Sequence, residues 1–142
     1  KLQNFSIELN YYINRDSIIL LPVVSMISFL VHFFSIGYMA HEKSLSRYFN
    51  GLLFFTASML LFVCAGNLIV IFLAWECLGL ASYLLIGFYR EKTEAGFASL
   101  KAMLLNRFSD LLLLSAIILI FANYQSFNLK EIIDSQQTLP HL

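Results

Sequence analysis

The sequence predicts an all-α fold, a polytopic transmembrane helix bundle of four spans, and three observations predict it. Of its 142 residues 59% are hydrophobic and only 13% charged, against about 45–50% and 25% in ordinary soluble domains. Mean hydropathy is +0.75. Four stretches approach or exceed the roughly 20 apolar residues that a helix rising about 1.5 Å per residue needs to cross a bilayer core, and none shows the short alternating polarity of a membrane β-barrel. The lipid bilayer is therefore the first expected partner. Nine Lys plus Arg balance nine Asp plus Glu, which leaves no basic footprint for nucleic acid.

Residues 1–16 form a polar extramembrane segment. Asn4, Glu8, Asn10, Asn14, Arg15 and Asp16 make it too polar for a secretory signal, and an opening on Lys1 instead of Met reads as a piece of a longer polypeptide. The first span is 17–39, with Pro22 near its start, where a missing N–H costs least. The second is 49–64 and the third 67–88. Ala65, Gly66 and Asn67 join them, so a tight antiparallel hairpin is expected, with Gly or Asn taking a left-handed turn. The fourth span is 100–122. In the polar tail 123–142, Phe127, Leu129, Ile132 and Ile133 recur at helical spacing. Either a short amphipathic helix at the interface or a linker with a chance pattern fits that spacing.

Alternation of loops puts 40–48 and 89–99 on one face, with Lys43, Arg47, Arg90 and Lys92, and Lys101 at its edge. Lys1, Arg15 and Lys130 lie on the other. By the positive-inside rule the first face is cytoplasmic, or faces the matrix in a mitochondrion, and both chain ends lie outside. Cys64 and Cys77 sit in separate apolar runs without C-x-x-C or His spacing, so they read as small buried hydrophobes. No metal is expected.

Ionisable side chains at bilayer depth cost at least a few kcal/mol and normally face a partner, a cavity or an ion path. Glu76 lies near the middle of the third span. Loss of hydration favours its neutral acid, a nearby cation favours its carboxylate, and a group balanced between the two suits a proton relay. The alternative is a neutral Glu hydrogen-bonded inside a bundle. Phe72, Leu73, Gly79, Leu80 and Tyr83 share its face. Gly79, Ala81 and Ser82 permit close approach of a helix or a water-holding gap. Trp75, on another face, reads as a packing element. Arg107 and Asp110, three apart, project from one side of the fourth span, with Asn106 four before Asp110. Alone they are a structural ion pair; with Glu76 they form a charge network able to tune a carboxyl. Lys101 either snorkels to the basic face or turns inward. His32, two-thirds along the first span, is either a further relay, since imidazole changes charge near neutral pH, or a satisfied core residue. His41 is expected to be solvated at the helix end.

The string WECLGLASYLLIGFYREKTEAGFASLKAMLLNRFSD, Trp75 to Asp110, together with HFFSIGYM, His32 to Met39, resembles the antiporter-like membrane subunit, chain 5, of respiratory NADH:ubiquinone oxidoreductase (complex I). The resemblance rests on W-E followed by G-L-x-S-Y-L-L-I-G-F, a basic polar loop and K-A-x-x-x-N-R-x-x-D. It covers roughly residues 11 to 121, a minor part of a family member. It implies that the chain is part of a larger antiporter-like fold and translocates protons without a cofactor of its own. It also implies that Glu76 is the carboxylate of a Glu–Lys pair, with Arg107 and Asp110 in the surrounding polar network. The family's partner Lys sits on a later, broken helix; Lys101 and Lys130 do not match it.

The same resemblance implies NADH:ubiquinone reductase activity for the whole assembly, coupling electron transport in the respiratory chain to proton pumping, with no redox chemistry in this chain. NAD, FMN and iron–sulfur clusters are implied in partner subunits. The expected partners are the other complex I membrane subunits and the remainder of the same subunit. The expected location is the mitochondrial inner membrane, with a bacterial plasma membrane as the alternative. Cation/proton antiporter subunits share the W-E and S-x-L-L-I-G elements, whereas N-R-x-x-D favours the complex I member. A sodium or potassium/proton antiporter subunit and a purely structural membrane segment are the competing functions.

Overall fold

A computed structural model describes residues 13–89 and 91–137. Five helices follow one another: α1 (Arg15–Tyr38), α2 (Leu45–Cys64), α3 (Leu68–Ile86), α4 (Thr93–Tyr124) and α5 (Leu129–Gln137). The first four are long and apolar enough to cross a membrane. They pack in chain order, α1 on α2, α2 on α3 and α3 on α4, so each span satisfies its own backbone and buries a face against its neighbour.

α1 starts where Asn14 Oδ1 accepts a hydrogen bond from the Ser17 N–H at 2.9 Å, with Asp16 complementing the positive helix end. Ser17 Oγ also donates to the Val63 carbonyl at 2.9 Å, tying the start of α1 to the end of α2. Because the helix begins at Arg15, Pro22 lies about two turns in, not in the first turn as its place near the span start suggested. The Ile18 carbonyl consequently has no N–H at residue 22 to accept from. Ser28, His32 and Ser35 face α2. Ser28 Oγ is 2.7 Å from Thr56 Oγ1 and Ser35 Oγ is 3.1 Å from Tyr48 Oη. Phe29, Phe33 and Phe34 are exposed. In a bilayer, where apolar contact alone gives little preference between lipid and protein, such interhelical hydroxyl bonds select the packing face.

Besides the two residues that α1 adds at its start, two helices extend further beyond the expected spans. α2 begins at Leu45 instead of 49, and α4 runs over 32 residues from Thr93 instead of 100. Their polar first turns are helical although they fall outside the apolar windows. At 1.5 Å per residue α4 is about 48 Å long, more than a hydrocarbon core of about 30 Å requires. It ends at Gln125, held in the left-handed region at φ 55.

The α2–α3 connection corrects the expected turn. Ala65 (φ −66, ψ 123) and Asn67 (φ −133, ψ 139) are extended, and no described glycine has positive φ. The backbone groups are satisfied from a distance: Leu68 N–H donates to the Phe127 carbonyl at 2.9 Å and Leu129 N–H to the Gly66 carbonyl at 3.1 Å. Asn67 Oδ1 caps α3 by accepting from Ile69 N–H at 2.8 Å. Stacking of Phe121 on Phe127, centroids 4.3 Å apart, adds to this tie between the α2–α3 connection and the end of α4.

At the opposite end, Arg47 Nη2 donates to the Phe88 carbonyl at 2.9 Å and its guanidinium lies 5.0 Å over the Phe88 ring. Tyr89 Oη donates to Glu42 at 3.1 Å. Withdrawal from water, followed by that bond to Glu42, holds the Tyr89 phenol above its ordinary 10.0. Lys43, Arg47 and Lys92 thus gather at one end of the bundle, while Arg90 and residues 1–12 and 138–142 lie outside the described residues.

Candidate functional site

Glu76 lies one residue before the midpoint of α3, and its helical face carries Gly79, Leu80 and Tyr83 against α4. The face of α4 that meets it carries Met103, Asn106, Arg107 and Asp110. Arg107 Nη1 donates to Glu76 Oε2 at 2.7 Å and lies 3.6 Å from Asp110 Oδ2. Asp110 Oδ1 accepts from Trp75 Nε1 at 3.0 Å. Glu76 and Trp75 are consecutive, so the four side chains close a ring across the two helices. One guanidinium serves two carboxyls, the nearer on the other helix and the farther one turn along its own.

Exposure grades through the ring. The Asp110 side chain is 11% exposed, Glu76 24% and Arg107 57%. Between the helices lies a cavity of about 20 Å³ bounded by Glu76, Gly79, Tyr83, Asn106, Arg107 and Asp110. A water needs roughly 10–15 Å³ measured this way, plus two to four polar partners, and both are present. Gly79 makes the room: a Cβ there would stand 3.2 Å from Asn106 Nδ2.

The three charged residues read from the sequence therefore meet, with the closest pairing across the helices. Trp75, read as packing, is instead the donor to Asp110. An indole N–H must find an acceptor when removed from water, and that is the signal that could have found it. His32 is held elsewhere, between α1 and α2. Its Nδ1 lies 2.8 Å from the Ser28 carbonyl and its ring centroid is 6.2 Å from that of Phe49. Its Nε2 is buried without a hydrogen-bond partner among the described residues. Lys101 and His41 are exposed, and Cys64 and Cys77 are free thiols.

Comparison with known proteins places this geometry. The family model described as NADH:quinone oxidoreductase/Mrp antiporter, TM, matches residues 65–141, the stretch that contains all four ring residues. The chain belongs to this family. A second model, NADH-Ubiquinone oxidoreductase (complex I), chain 5 N-terminus, matches residues 1–49. Among family relatives, NADH-quinone oxidoreductase subunit L of Rickettsia typhi is 38% identical over 98% of this chain and 21% of its own. Subunit L of Escherichia coli K12 is 36% identical over 92% of this chain and 21% of its own. NADH-ubiquinone oxidoreductase chain 5 of Phytophthora infestans is 44% identical over 78% and 17%. The chain spans about a fifth of the length of these family members.

Proposed function

We propose that this chain is part of the proton-translocating membrane subunit of NADH:quinone oxidoreductase and that Glu76 is the carboxyl that takes up and releases the proton. Family membership and the names of the relatives support the first half. The observation that carries the second is a carboxyl at the middle of a membrane-spanning helix, 2.7 Å from a guanidinium that also reaches Asp110. Protonation of Glu76 removes the charge that holds Arg107, and Arg107 moves toward Asp110, which Trp75 keeps in place. Release of the proton restores the first pairing. A water in the cavity beside Glu76 supplies and receives the proton, and coupling to the rest of the assembly biases Arg107 between its two partners.

On this reading no residue here touches NADH, flavin or quinone; NAD, FMN and iron–sulfur clusters belong to partner subunits, and the remainder of the subunit completes the pump. The 14 Phe among abundant Ile, Leu and Asn suit an AT-rich mitochondrial genome, which favours the inner membrane with the Arg47 end toward the matrix. His32 is assigned a secondary relay role between α1 and α2, because its Nε2 is buried without a hydrogen-bond partner among the described residues.

Glu76→Gln tests the central claim. The expected result is an assembled complex whose NADH-driven proton pumping is lost; normal pumping would overturn it and leave a structural role. Because the family description also names Mrp antiporters, the driving force separates the two classes. Transport should follow NADH and stop with an inhibitor of quinone reduction, and should not follow an imposed sodium or potassium gradient.

A further inference from the structure

A second and larger cavity, of about 590 Å³, opens between the end of α3 and the start of α4, at the end of the bundle that carries Lys43, Arg47 and Lys92. Tyr83, Gly87, Thr93, Gly96 and Ser99 help to line it. Tyr83 also borders the water-sized cavity around Glu76, so one side chain lies on the wall of both spaces. Seven residues put Tyr83 two turns from Glu76 on the same face, about 10 Å along the axis. That is too far for direct transfer and short enough for one hydroxyl and one or two waters. The Tyr83 hydroxyl has no hydrogen-bond partner among the described residues and is free to turn toward either cavity. The two sides of the vestibule differ. At Gly87 an added Cβ would stand 3.1 Å from Ser99 Oγ, so the helices touch there, whereas at Gly96 nothing lies within 4 Å.

We propose that this vestibule is the aqueous entry by which protons from the basic end of the bundle reach Glu76, with the Tyr83 hydroxyl as the relay between vestibule and inner cavity. The inference rests on Glu76 being the proton-carrying carboxyl and adds the direction and path of its supply. In each transfer the Tyr83 oxygen accepts a proton from a hydronium in the vestibule, which is left as water, as its own proton passes to the inner water. The phenol is therefore neutral before and after, and the inner water delivers the proton to the Glu76 carboxylate. Tyr83, Thr93 and Ser99 offer hydroxyls along this path and Gly87 and Gly96 leave room beside them, while Leu84, Phe97 and Leu100 form the apolar part of its wall.

The test uses the whole complex, with Cys64, Cys77 and other reagent-accessible cysteines replaced. Gly96→Cys fits without collision, and Thr93→Cys provides a second position on the same wall. A bulky, membrane-impermeant methanethiosulfonate added from the basic side should abolish most NADH-driven pumping in both variants, with recovery on thiol reduction. Ala98→Cys, exposed on the same turn of α4 but outside the vestibule, should react without loss. Tyr83→Phe keeps the ring, removes the relay, and should lose most pumping in an assembled complex. Full modification at residues 93 and 96 with unchanged pumping would overturn the entry route, and normal pumping by Tyr83→Phe would overturn the relay. Glu76→Gln, run in parallel, separates the two levels: if it alone stops pumping, only the path is wrong, and if it pumps normally, the carboxyl assignment itself falls.

Discussion

Arg107 sits at unequal distances from two carboxyls, and that inequality is what the ring can exploit. Arg107→Ala removes the cation from Glu76 and leaves Asp110 with the Trp75 N–H alone. Pumping should fall as far as in Glu76→Gln, and Arg107→Lys should recover only part, because an ammonium offers a point charge where the guanidinium offers a fork. NADH-driven proton uptake in assembled complexes measures both, and full activity of Arg107→Ala would show that Arg107 does not control the carboxyl. Trp75→Phe removes one hydrogen bond to a charged acceptor, worth about 1.5–3 kcal/mol, and keeps a ring for Phe62, 6.1 Å away. Its loss of pumping should be smaller than that of Arg107→Ala, since Asp110 retains Arg107. Outside the spans, Tyr89 donates to Glu42 only while protonated. Its phenol is held above 10.0, so its contribution to the tie between the two loops is complete below about 10 and is lost as pH rises through the raised value. Tyr89→Phe should flatten this alkaline part of a thermal-stability profile, and an unchanged profile would remove the bond from the account.

The α3–α4 crossing depends on Gly79. Gly79→Ala would bring a methyl within 3.2 Å of Asn106 Nδ2, so the amide must shift by a few tenths of an ångström on the wall of a cavity of about 20 Å³. The complex should assemble while pumping drops. Gly37→Ala, with nothing within 4 Å of the added carbon, should leave pumping unchanged and strengthen α1 by up to about 1 kcal/mol of helix propensity. Equal pumping in the two variants would sink the role given to the cavity. At this scale hydropathy reads the middles of the helices well and their ends poorly. Leu45 to Tyr48 and Thr93 to Ser99 continue helices in which no proline intervenes, yet their polarity takes them out of any apolar window. The 65–67 connection misleads for a different reason: Gly66 and Asn67 can both take a left-handed turn, but backbone bonds from residues 127 and 129 favour an extended path that no local rule contains.

In the whole molecule, the exposed Phe29, Phe33 and Phe34 of α1 and the exposed leucines of α4 leave an apolar surface that only lipid or further protein covers. The chain should remain in the membrane fraction under alkaline carbonate and require detergent for release; appearance in the soluble wash would contradict four spanning helices. The charge ring is open on its Arg107 side, which agrees with a chain covering about a fifth of its family relatives. Composition and the apolar runs by themselves determined a four-span helical membrane protein, and Glu76, Arg107 and Asp110 stood out because charge at bilayer depth is costly enough to be noticed without coordinates. Only the tertiary structure decided that Arg107 bonds across to Glu76 in preference to Asp110, that Trp75 holds Asp110, and that a water-sized space adjoins them. These outcomes depend on the angle and register at which α3 meets α4, and helical periodicity assigns a residue to a face without saying which face it will meet.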